Sequence, residues 1–251
     1  MTSITAITLN ALANDQARIE RVATNLANVA TPGYKRELWV ERSAGTSAFA
    51  QTMEAMQPGE PAVDAGPALP QASVSALARD LRAGTLKPTG RALDLALVGS
   101  GYFEVATEHG PAYTRRGEFQ IDAHGRLATP EGHALLGTGG EITLTGDKPS
   151  IDATGRVFDG ERQVAQLHLI DAGNTPLRAL GGGLFAADGA VRELPADQLA
   201  VRQGFVENAN VDTAHEMVSL TTSVRHFEAL LRVAQGRDEM LGTAIRKLGD
   251  V

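Results

Sequence analysis

Apolar residues recur at alternating steps of three and four along residues 211–248. The positions are Met217, Leu220, Val224, Phe227, Leu231, Ala234, Asp238, Leu241, Ile245 and Leu248. This is the a/d heptad spacing of a coiled coil, and the run is longer than an ordinary globular helix. The alternative is one long helix that packs on its own domain. Asp238, the single polar position, either fixes the register of the helix or marks where the seam turns to solvent.

A weaker seam of the same spacing predicts a helix over residues 3–28. Its positions are Leu9, Leu12, Gln16, Ile19, Ala23 and Leu26, two of which are small or polar. Because knobs on one helix need holes on another, this helix is a natural partner for the C-terminal one. Pairing of the two would bring the chain ends together.

The first helix is expected to stop by about Ala30, because Pro32 disfavours the helical conformation at Thr31. Pro32 and Gly33 suit the central positions of a type II turn, with a positive φ at Gly33. The side-chain amides of Asn25 and Asn28 could then bond exposed carbonyls or a neighbouring chain. A plain helix stop explains the same residues.

The middle of the chain has a different pattern. Residues 43–75 are rich in alanine, serine, glycine and proline, which favours an extended connector. Residues 75–203 alternate apolar and polar positions over short stretches, as at Leu93, Leu95 and Leu97, and turn residues recur about every ten residues. The segments 121–127 and 151–157 share one frame and predict two similar hairpin turns, with Gly125 and Gly155 at positive φ.

The amino-acid composition argues against several classes of function. The formal net charge of −7 argues against nucleic acids and anionic membranes as partners. The chain has no cysteine for disulfides or thiolate chemistry, and no apolar run long enough to span a membrane. The first basic residue is Arg18, so we expect no Sec-type signal peptide. By themselves, these features favour a cytosolic protein.

No constellation for catalysis or ligand binding emerges from the motifs. The six histidines form no HxxxH pair, the glycine-rich stretches lack a following Lys-Ser/Thr, and there is no Gly-x-Ser-x-Gly elbow. Aspartates such as Asp122 and Asp152 fall in turns, where they bond their own backbone. We therefore predict a protein that is not an enzyme, with no catalytic residue, cofactor, metal or small-molecule substrate.

Three segments carry a family resemblance. The first is NLANVATPGYKR at 25–36; the second combines LDLAL at 93–97, GSGYF at 99–103 and YTRRGEF at 113–119; the third combines QGFVENANV at 203–211 with EMV at 216–218. In this order they resemble the signatures of the bacterial flagellar rod and hook protein family. The chain length and the stretch Arg225–Glu228 look most like the proximal-rod members, although distal-rod and hook paralogues share all three segments.

Together with these patterns, the resemblance implies an α+β fold in which N- and C-terminal helices form a coiled-coil layer, with a central all-β, hairpin-rich domain outside it. The expected divisions are an N-terminal helix and turn (1–35), an extended connector (36–75), a β domain (76–207) and a C-terminal coiled-coil helix (208–251). It also implies a structural subunit that polymerises into the axial rod, with copies of itself and other rod proteins as partners. Such proteins leave the cell through the flagellar type III export apparatus without a cleaved signal peptide, and the rod crosses the periplasm. This overturns the cytosolic expectation.

The subunit interface is expected on both helices and on the turn between the first helix and the connector. Its residues are Leu12, Ile19, Asn25, Leu26, Asn28, Thr31, Pro32, Gly33, Tyr34, Met217, Leu220, Val224, Phe227, Leu231, Leu241, Ile245 and Leu248. Without the resemblance, a secreted β-rich adhesin on a coiled-coil stalk is the second interpretation. The N-terminal helix discriminates between them, because a stalked adhesin needs a helix at only one end.

Overall fold

The computed structural model describes residues 2–42, 74–146, 149–173, 175–195 and 198–249. The chain divides into two compact units. The terminal unit comprises the described parts of Met1–Thr24, Glu37–Arg79 and Ala214–Val251, and the central unit those of Asn25–Arg36 and Asp80–Thr213. Most of the predicted connector, from 43 to 73, lies outside the described residues.

Two long helices lie near the ends of the chain, with short strands between them in sequence. The helices are α1 (Thr2–Ala27) and α2 (Thr213–Gly249). The strands of the first half are β1 (Glu37–Arg42), β2 (Val74–Arg79), β3 (Leu86–Pro88), β4 (Leu95–Leu97), β5 (Tyr102–Thr107), β6 (Gly110–Thr114), β7 (Gln120–Ile121), β8 (Leu127–Ala128), β9 (Ala134–Gly137) and β10 (Gly140–Glu141). Those of the second half are β11 (Pro149–Ile151), β12 (Arg156–Asp159), β13 (Arg162–Gln166), β14 (Leu169–Asp171), β15 (Leu177–Gly181), β16 (Leu184–Ala187), β17 (Arg192–Glu193), β18 (Val201–Gln203) and β19 (Phe205–Glu207).

The central unit is built on a ten-stranded antiparallel sheet. Its main order is β15-β16-β6-β5-β9-β8-β7, with β10 on β9, β14 on β5 and β17 on β14. Strands β11, β12 and β13 form a separate three-stranded sheet, and two pairs, β18–β4 and β19–β3, bring the end of the β segment back to its beginning. In the terminal unit β1 pairs with β2 in register, from Glu37 opposite Arg79 to Arg42 opposite Val74.

The core of the central unit lies where these sheets pack on one another. Leu95, Phe103, Leu127, Leu135 and Val157 are fully buried in one apolar cluster. Fully burying an aliphatic or aromatic side chain of this size stabilises the fold by about 1.5–3 kcal/mol. These residues therefore hold the short strands together, which individually have too few backbone bonds to be stable.

The two predicted glycine turns have the same structure. Gly125 and Gly155 both have φ of +77°, and each amide donates to the carbonyl of an aspartate three residues earlier, Asp122 or Asp152, at 3.0 Å. In both turns the aspartate carboxylate also accepts the amide of the arginine four residues on. The prediction from the repeated frame is confirmed, because the same residue types make the same local bonds.

The predicted α+β class and both terminal helices are confirmed. One strand differs from its sequence pattern. The alternation around Leu95 and Leu97 predicted a strand with one polar face, but Ala96 between them is buried as well. Strand β4 lies beside β18, and the backbone of Gly117 approaches it so closely that a side chain there would meet the Leu95 carbonyl. Both faces of strand β4 are therefore covered, and the two-residue alternation in the sequence does not indicate this.

Candidate assembly site

Helix α1 buries a different face from the one that its apolar spacing predicts. The predicted positions divide into an exposed set, Leu9, Gln16 and Ala23, and a half-buried set, Leu12, Ile19 and Leu26. Asp15 and Val22, each one residue before an exposed position, are buried instead. The inward face is therefore rotated, and half of the predicted seam lies at its edge.

Helix α2 is rotated in the same sense. Of its predicted seam, Leu220, Val224, Phe227 and Ala234 are half-buried, whereas Met217, Leu231 and Asp238 are exposed; the side chains of Leu241, Ile245 and Leu248 lie outside the described residues. Glu216 and Ser223, one residue before Met217 and Val224, are buried. The exposure of Asp238 agrees with the second sequence interpretation, in which the seam turns to solvent there.

A polar contact joins the two helices. Asp15 Oδ2 on α1 lies 2.5 Å from His226 Nδ1 on α2. The Asp15 side chain is only 6% exposed, whereas that of His226 is 61% exposed. The histidine therefore reaches from the surface to satisfy a carboxylate that lies inside.

Large apolar side chains remain exposed on both helices. They are Ile7 and Leu9 on α1, and Met217, Val218, Leu231, Val233 and Met240 on α2. Solitary exposed apolar residues are normal, but several along two adjoining elements are typical of a surface that another chain covers.

The turn after α1 has the predicted conformation. The Tyr34 amide donates to the Thr31 carbonyl at 3.3 Å across Pro32 and Gly33, and Gly33 has φ of +68°. The asparagine side chains point into this segment. Asn25, which is buried, accepts a hydrogen bond from the Tyr34 hydroxyl at 3.0 Å, and Asn28 accepts one from the Thr31 hydroxyl at 3.2 Å.

A buried charge cluster of Lys35, Arg115 and Glu207 lies in the central unit. Lys35 Nζ is 2.7 Å from Glu207 Oε1, and Arg115 Nε is 2.5 Å from Glu207 Oε2. Burial by itself raises the pKa of Glu207, but the charge of Arg115 and the hydrogen bonds from Lys35 and the Gly84 amide outweigh it, so the pKa lies below its usual value. Burial lowers the pKa of Lys35, and its attraction to Glu207 offsets only part of that effect.

Backbone carbonyls complete the surroundings of the two cations. Arg115 donates to the carbonyls of Leu97, Gly99 and Gly101, and Lys35 donates to that of Arg82. Buried charges are tolerated when their hydrogen-bonding capacity is used in this way. The cluster therefore stabilises the fold: one carboxylate and several backbone carbonyls hold the Lys35 and Arg115 side chains in place.

The same region bonds the residues after α1 to those before α2. The Gly33 amide donates to the Glu207 carbonyl at 2.7 Å, and the Asn210 amide donates to the Tyr34 carbonyl at 3.3 Å. Asn210 Oδ1 accepts the Arg36 amide at 2.7 Å. The three sequence segments that carry the family resemblance thus meet at one place, because Lys35, Arg115 and Glu207 each belong to a different one.

No role was predicted from the sequence for these three charged residues. The signal that could have found them was the presence of charged residues in all three segments that carry the family resemblance: GYKR, YTRRGEF and GFVEN. Asp15 and His226 also had no predicted role. Neither pairing follows from spacing, because the partners are far apart in the chain.

Comparison with known proteins places two parts of the chain in known families. Residues 96–158 match the family model of the flagellar hook protein FlgE/F/G D1 domain, and residues 202–247 match that of the flagellar basal body rod FlgEFG protein C-terminal region. The flagellar basal-body rod protein FlgG of Agrobacterium fabrum is 31% identical over 264 residues, covering 97% of this chain and 98% of that protein. This chain belongs to the flagellar basal-body rod protein family.

Further relatives carry two different names within the family. FlgF of Salmonella typhimurium is 31% identical over 244 residues, covering 88% of both chains, and FlgG of Bacillus subtilis is 28% identical over 259 residues, covering 93% of this chain and 94% of that protein. The prediction of a structural subunit of the flagellar basal body is confirmed at the level of the family. Neither α1 nor α2, in its described residues, is long and apolar enough to cross a membrane.

Proposed function

We propose that this chain polymerises through its terminal helices, with copies of itself and with other rod proteins, into the axial drive shaft of the flagellum. The observation that supports this most directly is the presence of several exposed apolar side chains on α1 and α2, including Leu9, Met217 and Leu231. Heterologous contacts that do not close into a ring generate a helical filament. Packing of these side chains between neighbouring subunits would complete a coiled-coil inner layer.

The proposed division of labour follows the expected domains. Residues 1–35 and 208–251 form the inner layer, 36–75 connect it to the outside, and 76–207 form the outer β domain. At the boundaries of these segments, the Lys35–Glu207 and Arg36–Asn210 contacts tie the chain after α1 to the chain before α2 within the central unit.

Within the rod, we favour the proximal position of FlgF over that of FlgG or of a hook paralogue. The support is the stretch Arg225–Glu228; identity to the Salmonella FlgF and to the Agrobacterium FlgG is the same, 31%. Complementation separates these alternatives. Expression in strains that lack either FlgF or FlgG should restore motility only in the strain lacking FlgF.

Export is proposed to follow the flagellar type III route, which would deliver the subunit into a rod that crosses the periplasm without cleavage. Mass measurement of the protein in purified basal bodies tests this, because an uncleaved N-terminus is expected. Deletion of the gene tests the rod function itself. Basal bodies from the deleted strain should lack a complete rod, and a complete, rotating rod without this protein would refute the proposal.

A further inference from the structure

The most buried side chains of the terminal unit's helices are mostly polar. Asp15, Glu216 and Ser223 are each at most 4% exposed, and among the described helix residues Val22 is the one apolar side chain that is buried to a similar degree. Apolar residues alone would stabilise such a layer more simply. A buried polar residue in a helical layer is attested as a device that selects register and partner at a cost in stability.

Asp15 is a buried carboxylate whose partner lies on the other helix. Its carboxylate lies inside, and the hydrogen bond that the structure gives it comes from His226, at 2.5 Å. Loss of the contact would destabilise the protein by a different amount depending on which partner is removed. An orphaned Asp15 leaves a buried charge without a partner, whereas an orphaned His226 still faces water with most of its side chain.

We propose that the Asp15–His226 pair selects the register in which α1 and α2 of one subunit pack together. Because the apolar positions repeat every seven residues, an apolar seam is nearly as well satisfied after a slip of one heptad. Such a slip would replace His226 by Val233 or Ser219 opposite the buried carboxylate. Val233 has no hydrogen-bond donor, and the Ser219 hydroxyl is on a shorter side chain than the imidazole, so neither replaces the His226 contact. The correct register is therefore favoured over the slipped ones. This inference goes beyond the proposed polymerisation, since it concerns the subunit before assembly.

The two single substitutions should have unequal effects. Hydrogen exchange of α1 amides near Asp15, measured on dilute full-length protein, should accelerate at least about tenfold in His226→Leu, because the carboxylate stays buried without its partner. Asp15→Leu should change it less than about threefold. The double variant should resemble Asp15→Leu, and Arg225→Leu, at an exposed position beside His226, should resemble the parent.

Light scattering of the same proteins tests the consequence of a lost register. A slipped pairing within the subunit leaves apolar side chains uncovered, and these can associate with a second subunit. Asp15→Leu should therefore give a mixture of oligomers, whereas the parent and Arg225→Leu stay uniform. If His226→Leu precipitates, a soluble double variant supports the proposal, and equal precipitation of the double variant overturns it. Equal exchange in the two single variants, additive effects in the double variant, or uniform Asp15→Leu protein also overturn it. These measurements use purified protein and do not depend on motility. The register proposal can therefore be wrong while the proposed rod function is right, and the reverse.

Discussion

Lys35 and Glu207 form a buried salt bridge of 2.7 Å although 172 residues separate them in the chain. Arg115 binds the other oxygen of the same carboxylate. One acidic group is therefore paired with two cations, each from a different part of the central unit. The consequences of removing it can be predicted in detail.

Glu207→Gln should destabilise the protein by about 3–5 kcal/mol, because Lys35 and Arg115 would remain buried without a counter-charge. The measurement is the free energy of unfolding from urea denaturation at pH 7. Glu141→Gln is the matched control, since Glu141 pairs with Arg126 at the surface and its loss should cost less than about 0.5 kcal/mol. Equal effects of the two substitutions would show that the buried carboxylate has no special role.

The same carboxylate predicts how stability depends on pH. The pKa of Glu207 in the folded protein lies below its usual value of 4.5, so the folded state binds its proton less readily than the unfolded chain. The contribution of Glu207 to the free energy of unfolding is therefore fully present above about pH 4.5, and it is lost as the pH falls through the folded-state pKa. Unfolding measured from pH 7 downward should show a shallower acid-side decline in Glu207→Gln than in the parent. Parallel curves would contradict the assignment.

Leu231→Asp should abolish rod assembly and motility while the central unit stays folded. Leu231 is partly exposed in the subunit, so a charge there is tolerated until a neighbouring chain covers it and removes its water. Motility on soft agar and electron microscopy of basal bodies are the measurements. Gln235→Asp places the same charge at an exposed position of the same helix and should leave motility intact. A motile Leu231→Asp strain with normal rods would remove this residue from the interface.

Gly33→Val should destabilise the central unit as well as assembly. A Cβ at this position would lie 2.5 Å from the Arg115 carbonyl carbon, and φ is +68°, where a β-branched residue is strained. Gly90→Val is the matched control, because Gly90 has nearly the same φ, +72°, and open space where a Cβ would lie. Backbone strain alone costs about 1–3 kcal/mol, so the excess loss of unfolding free energy in Gly33→Val measures the clash. Similar losses in the two variants would mean that residues 115–116 move aside.

Local pattern determined the elements of this protein whose physics is local. The two helices follow from an unbroken helical spacing of apolar residues, the stop of α1 from Pro32, and the paired turns from glycines at 125 and 155 beside hydrogen-bonding aspartates. The family was also evident, because its segments are short and contiguous in sequence. Each of these depends on interactions within a few residues of the chain.

Only the tertiary structure decided which faces and which charges meet. The heptad positions were predicted from apolarity, but the inward faces of α1 and α2 are rotated toward Asp15 and Ser223, since a seam with polar positions can be turned without losing much apolar contact. Likewise Lys35, Arg115 and Glu207 are brought together by the pairing of β19 with β3 and by the bonds between the segments after α1 and before α2. Periodicity reports the average environment of a helix or strand, whereas the partner of a buried charge lies far away in the sequence. The two partners meet only when the chain folds into its tertiary structure.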